Sequence, residues 1–281
     1  MHDVEYWLGE IGEAAARLNA IDAIEGAAGN ISVFLPPGTP GLDAFLSGPM
    51  PRAAAYELPG GDSLPRGVLL ITGTGRRLRD AVTRSDAVLC AIAIDAGGSW
   101  LHRDPRYGVL PTSEIDSHIG IHAAILSEHD SQAIEAHAVI HAQPPHLTFL
   151  SHIPAYRDEH QLNRQLYRWQ PETLVMLPEG IRVIPFETPG TPAQGTGTVA
   201  AMLRYRLVVW AKHGVVARSP HGPLSAADLI DYAEAAAHYE VLDLHAGRPA
   251  DGLTPTELHA IAARFAVNAS ILDTMSDDLL A

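Results

Sequence analysis

Apolar positions along this chain change period repeatedly, and each change marks a predicted element. Over residues 3–20, Val4, Trp7, Leu8, Ile11, Ala14, Ala15 and Leu18 recur near helical spacing, which predicts an amphipathic helix. It ends before a glycine-containing loop at 26–30, and the short apolar strand ISVFL follows. Residues 36–65 are rich in proline and glycine, carry few periodic features, and read as a long excursion or irregular hairpin. GVLLITGTG is a buried strand running into a glycine turn, and RRLRDAVTRSDAVLCAIAID passes from polar to apolar as it enters another strand. IDSHIGIHAAILSEH has helical spacing, AVIHA is strand-like, and QLNRQLYRW is helical. TLVMLPEGIRVIPF predicts two short strands around a turn, GTVAAMLRY a helix, and LVVWAKHGVVARS a strand, before helices over 226–244 and 256–265. Helices alternating with short apolar strands predict an α/β fold. No internal repeat, low-complexity tract or linker interrupts the pattern, so residues 1–281 read as a single domain.

Composition narrows the class. A hydrophobic fraction of 47% supports a packed core, and a formal net charge of −14 with no dense Lys/Arg cluster argues against nucleic acid as a partner. The single cysteine, Cys90, lies in AVLCAIAI and reads as a small buried hydrophobe, which leaves no disulfide framework. The N-terminus is acidic where a signal peptide needs basic residues, and no apolar run approaches the ~20 residues of a membrane span. The expectation is a soluble cytoplasmic protein.

Candidate chemistry concentrates in VIHAQPPH, residues 139–146. Side chains at i and i+2 of a strand share a face, so His141 and Gln143 would present an imidazole and an amide side by side, able to hold one metal ion. A third ligand must come from elsewhere, and His213 is the best candidate, where the apolar run RLVVWAKHG opens into a turn. His137, four residues before His141, shares its face if the strand extends that far, and His146 follows two prolines; either could substitute for Gln143. His118 and His122 lie on one helix face and could pair on a metal, although two histidines on a partly buried helix are more often structural. The competing reading of His141 is a buried, hydrogen-bonded residue in a site without metal.

Five turns then fall in order along the chain: AGNIS, ITGTG, PTSE, VIHAQPPH and KHGVVA. This ordered set resembles the class II (metal-dependent) aldolase/adducin family, from about Glu25 to the C-terminal RFAVN. The resemblance implies a three-layer α/β/α fold around a largely antiparallel central sheet, assembled as a homotetramer with active sites near subunit interfaces. It implies retro-aldol cleavage of a small phosphorylated sugar, a ketose for which rhamnulose 1-phosphate is the first candidate, to dihydroxyacetone phosphate and an aldehyde. Relatives of the same fold catalyse epimerisation or decarboxylation, and adducin-type relatives are non-catalytic scaffolds.

The resemblance also assigns roles. A divalent metal, zinc in the family, would be held by His141, His213 and the position of Gln143, where the family carries the second histidine of His-x-His. An amide oxygen is harder than imidazole and a poorer zinc ligand, so affinity should fall or metal preference shift. Glu114 matches the general acid/base, for which a raised carboxyl pKa would suit proton transfer. Phosphate would be bound at Asn30, Thr74, Gly75, Thr112 and Ser113, with Arg76 supplying a positive charge nearby. Tyr156, Tyr167 and Trp169 could close over substrate from a neighbouring subunit or simply pack.

Overall fold

The computed structural model describes all residues except 47–53, 56, 59–62, 96–97, 102–108, 129–133, 249 and 276–281. The first helix, α1 (Val4–Ala20), buries the same seven apolar residues its period picks out, and the Asp3 side chain caps it by accepting from the Tyr6 N–H. The helices that follow are α2 (Leu42–Leu46), α3 (Ala81–Val88), α4 (Ile115–Glu128), α5 (Pro145–Leu150), α6 (Glu159–Leu166), α7 (Pro171–Met176), α8 (Pro192–Met202), α9 (Pro223–Ala246), α10 (Pro255–Phe265) and α11 (Ile271–Met275).

The strands are β1 (Asn30–Leu35), β2 (Ala54–Ala55), β3 (Gly67–Thr72), β4 (Leu89–Asp95), β5 (Gly98–Leu101), β6 (His137–Ala142), β7 (Arg182–Ile184), β8 (Leu207–Trp210) and β9 (Gly214–Ser219). They form one nine-stranded sheet in the order β2-β5-β4-β3-β1-β6-β9-β8-β7. Every pairing is antiparallel except that of β7 with β8.

Alternation along the central strands divides the core into two layers of side chains. Ile31, Val33 and Leu35 of β1, with Ala138, Ile140 and Ala142 of β6, join the cluster that includes α1 and α9. Phe34, Leu69, Ile71, Cys90 and Ile92 meet Ile115, Ile119 and Leu126 of α4 on the opposite face. Val139, Val208, Trp210 and Val216 meet Ile121 and Ile125 of α4 and Met202 of α8. Helices on both faces of a mostly antiparallel sheet give the three-layer α/β/α architecture. Cys90 is fully buried in this core, and burial pushes its thiol up to about 12.

Two stretches differ from the pattern-based expectation. TLVMLPEGIRVIPF is not a pair of strands: its first part completes helix α7, and only Arg182–Ile184 is extended. Pro171 at the first helical position starts that helix, and burial of Thr173 and Leu174 holds it despite the β-branched residues. LVVWAKHGVVARS is not one strand but the hairpin β8–β9, turned at Lys212, whose φ is +67°. The 36–65 excursion holds α2 and β2, and part of it lies outside the described residues.

Tyr156 and Tyr167 pack inside the fold, and Trp169 is half-buried beside them. Tyr167 is fully buried and donates to the Leu177 carbonyl at 2.5 Å. Tyr156 and the Trp169 indole N–H both donate to the Glu240 carboxylate.

Candidate metal centre

Register brings the candidate residues together. Asn30 pairs across the sheet with His141, and Phe34 with His137. Asn30, Ser32 and Phe34 of β1 therefore share a face with His137, Val139 and His141 of β6, the face that α4 covers. Gln143 follows the strand end, its N–H donating to the Ala23 carbonyl at 2.7 Å. His213 arrives from the β8–β9 turn. Gly214, at φ +152°, is what allows this close approach, because a Cβ there would stand 2.4 Å from the Ala142 carbonyl oxygen. The imidazoles of His141 and His213 end 4.8 Å apart, centre to centre, with Trp210 stacked on His213.

Glu114 enters from the loop before α4. Two backbone bonds pin that loop to β3 and its turn: Thr112 N–H to the Thr72 carbonyl at 3.0 Å and Thr74 N–H to the Leu110 carbonyl at 2.8 Å. Its carboxylate oxygens then straddle the imidazoles, Oε2 at 3.8 Å from His141 Nε2 and Oε1 at 3.8 Å from His213 Nε2. These separations are too long for hydrogen bonds. They approach the spacing of donors around one ion, since ligands at ~2 Å from a tetrahedral metal stand roughly 3.3 Å apart. One donor atom from each of the three residues lies within 4.8 Å of the others, and all three residues are buried or half-buried.

The donor chemistry fits a divalent ion. His141 Nδ1 faces the Val215 carbonyl at 2.9 Å and must donate to it, so the lone pair of the neutral ring sits on Nε2, facing Glu114 and Gln143. Burial holds the His141 pKa below its ordinary value, and burial followed by the neighbouring His141 pushes His213 down to about 4. Both rings are therefore neutral near pH 7, as metal ligands must be. The Gln143 amide nitrogen lies 2.7 Å from His141 Nε2, while its Oε1 is buried with no hydrogen-bond partner among the described residues. The amide turns its nitrogen toward the cluster, and turning it over would present the oxygen there as a metal donor.

Glu114 departs from expectation. Burial pushes its carboxyl up, but His141, the Asn30 amide, His118 and His213 together outweigh burial and hold it below the ordinary carboxylate range. It is a carboxylate at neutral pH, not an acid with a raised pKa.

The nine residues assigned to acid/base chemistry, phosphate or metal line one cleft of about 200 Å³: Asn30, Thr74, Gly75, Thr112, Ser113, Glu114, His141, Gln143 and His213; Arg76, expected beside the phosphate, is not among its lining residues. The backbone N–H groups of Gly75 and Ser113 carry no hydrogen bond among the described residues. Asn30 has other partners than a ligand: Nδ2 donates to Glu114 Oε2 at 2.7 Å, and Oδ1 lies 2.5 Å from His118 Nε2. Neither proposed substitute for Gln143 reaches the cleft. His137 turns its Nδ1 to His122 Nδ1 at 2.7 Å, and His146 bonds Glu234 at 2.6 Å. His118 and His122 are structural in the same sense, with ring nitrogens committed to Asn30, Ser32 and His137. Sequence reasoning missed Ser32 and Gln194, whose amide nitrogen stands 3.2 Å from His213 Nδ1. Ser32 stands two residues from Asn30 on the same strand face, which was a readable signal; Gln194 left none.

A wider cavity of about 570 Å³ is lined by Arg157, His160, Arg182, Phe186 and Lys212, among others. It includes none of the clustered donors. The smaller cleft is the better candidate because the donors converge there.

The fold is that of class II aldolases. The chain belongs to that family: residues 9–241 match the class II aldolase and adducin N-terminal domain. It is 31% identical to a rhamnulose-1-phosphate aldolase of Listeria monocytogenes over 215 residues, 74% of this chain and 75% of the relative. A rhamnulose-1-phosphate aldolase of Yersinia pestis is 30% identical over 200 residues, 70% of this chain and 71% of that one. Among solved structures, a sugar-phosphate aldolase from Thermotoga maritima superposes with a TM-score of 0.72 at 29% identity, covering 88% of this chain and 98% of the other. No helix among the described residues is long and apolar enough to cross a membrane.

Proposed function

We propose that this chain is a metal-dependent aldolase that cleaves a phosphorylated ketose, rhamnulose 1-phosphate first among them, to dihydroxyacetone phosphate and an aldehyde. The observation that carries the reading is the convergence of Glu114, His141 and His213, with the Gln143 amide against His141. His141, His213 and Gln143 would hold the ion. A divalent cation supplies Lewis acidity at the ketose carbonyl, drawing off the charge that develops when the adjacent C–C bond breaks. Zinc is the first candidate, bound more weakly than by three imidazoles because an amide oxygen replaces one of them.

The chain's own groups do the rest. The Glu114 carboxylate would take the proton of the hydroxyl beside the breaking C–C bond, as that carbon becomes the aldehyde, and return it to the carbon that cleavage releases, from a place where burial limits competition by water. Thr74, Thr112 and Ser113 offer short hydroxyls to a phosphate in the cleft, and Gly75 and Ser113 offer N–H groups that carry no hydrogen bond among the described residues. Gly75, at φ +66°, turns the backbone there in a conformation that side chains disfavour. Asn30 belongs to Glu114 in this reading, which leaves the anion to the other four residues. The reading includes a homotetramer, which light scattering would test directly.

The experiment is a panel of ketose phosphates, including rhamnulose 1-phosphate, fuculose 1-phosphate and pentulose phosphates, assayed for dihydroxyacetone phosphate release with added divalent metal. Release, fastest from rhamnulose 1-phosphate, is the expected result. Interconversion of pentulose phosphates without cleavage would replace the aldolase with an epimerase. No turnover of any substrate would leave a scaffold.

A further inference from the structure

Behind Asn30 runs a chain of polar groups that the proposed chemistry does not use. Asn30, Ser32, His118, His122 and His137 are all at most 4% exposed, and they link one to the next from the cleft into the core. The direction of each hydrogen bond follows from the first. A carboxylate only accepts, so Asn30 must turn Nδ2 to Glu114, and its Oδ1 must then face His118 Nε2 at 2.5 Å. That oxygen also accepts, so His118 carries its proton on Nε2. With burial pushing the ring's pKa down to about 4, His118 is neutral, and its Nδ1 accepts from the Ser32 hydroxyl at 2.6 Å. Ser32 has then spent its only proton, so its oxygen accepts from His122 Nε2–H at 2.7 Å. His122 Nδ1 in turn accepts from His137 Nδ1–H at 2.7 Å. Five consecutive hydrogen bonds thus point the same way, toward the Glu114 carboxylate. Such an aligned chain polarises its members cooperatively.

We propose that His118 is a positioning residue for Glu114: its Nε2–H locks the Asn30 amide in the orientation that donates to the carboxylate, and Ser32, His122 and His137 fix the tautomer that allows this. Were the amide reversed, two oxygens would face each other at 2.7 Å, and the carboxylate would swing off its position between His141 and His213. The inference deepens the assignment of Glu114 as acid/base and rests on it for its effect on rate.

Two substitutions separate the two ring nitrogens. His118→Gln places an amide near the Nε2 position and can still donate to Asn30; His118→Asn reaches only the Nδ1 position, toward Ser32. Dihydroxyacetone phosphate release by His118→Asn should fall about 100-fold in kcat, the scale of a displaced catalytic group, with KM and metal content unchanged. His118→Gln should recover most of that loss at a similar melting temperature. Equal kcat losses in the two variants, or a change in KM alone, would overturn the proposal. Nitrogen-15 NMR of the histidine-labelled protein reads the chain without any turnover. It should place protons on Nε2 of His118 and His122 and on Nδ1 of His137, and a proton on Nδ1 of His118 would equally overturn it. If the unsubstituted protein cleaves no ketose phosphate, the aldolase reading falls on that result alone, and the tautomer spectrum still decides the chain.

Discussion

Strand β6 carries one histidine at each end of the same face, and their surroundings are opposite. At the His137 end, under α4, imidazoles, amide and hydroxyl close on one another at 2.5–2.7 Å in an unbroken chain. At the His141 end, one nitrogen is anchored to the Val215 carbonyl, and the other takes a 2.7 Å bond from the Gln143 amide while it looks across 3.8 Å to a carboxylate it does not bond. Both groups are buried and histidine-rich, so burial and residue type do not separate them. The distances do. Groups that satisfy each other form an internal polar core, whereas donors held apart around a gap have the spacing of a ligand shell.

The strongest way to break this comparison is to remove a member of the open group. Glu114→Gln should lower kcat by about 10³-fold or more while leaving metal content intact, whereas His141→Ala or His213→Ala should lose metal and turnover together. Kinetics beside elemental analysis would show this, and metal retained in both histidine variants would dissolve the distinction. The sealed group should respond differently. His122→Ala should cost about 2–4 kcal/mol of stability in urea unfolding, from the cavity and the stranded partners, yet keep its metal.

Acid should act on the sealed group in the same sense. The folded pKa of His118 is depressed to about 4 and that of His122 is lowered too, in both cases by burial first. Between pH 6.5 and 4 the unfolded chain therefore binds protons that the folded chain refuses, and stability falls as pH falls, by on the order of 1.4 kcal/mol per pH unit for each such ring. The depressed carboxyl of Glu114 adds a loss in the same direction, beginning below its unfolded value near pH 4.3. Melting temperatures at pH 7.5 and 5 should separate clearly, and a flat profile would contradict the neutral chain. The smallest effect sharpens the comparison. Gln143→His should tighten zinc about tenfold in a chelator competition, the scale of one improved contact near the metal, and an unchanged affinity would remove Gln143 from the ligand set.

Much of this was legible in the chain. The seven apolar residues of α1 and the strand GVLLIT follow from period and turn chemistry, because each depends on neighbours close in sequence, whereas the nine cleft residues, gathered by long-range register, were reached through strand alternation and family resemblance. What was not legible depends on long-range register. The commitment of the Asn30 amide to Glu114 and His118 arises only when β1 pairs with β6 and α4 turns His118 and His122 toward the sheet. The fate of His137 was decided the same way, by His122 standing above it. In 171–184, Pro171 and burial of Leu174 overrode a β-like composition.

The most direct test of the central claim is metal content of the purified protein beside His213→Ala and His122→Ala, by elemental analysis. About one divalent ion per chain in the native protein and in His122→Ala, with none in His213→Ala, is the predicted result for an open cluster and a sealed one. A native protein without metal, or an ion that survives the loss of His213 and leaves with His122, would contradict it.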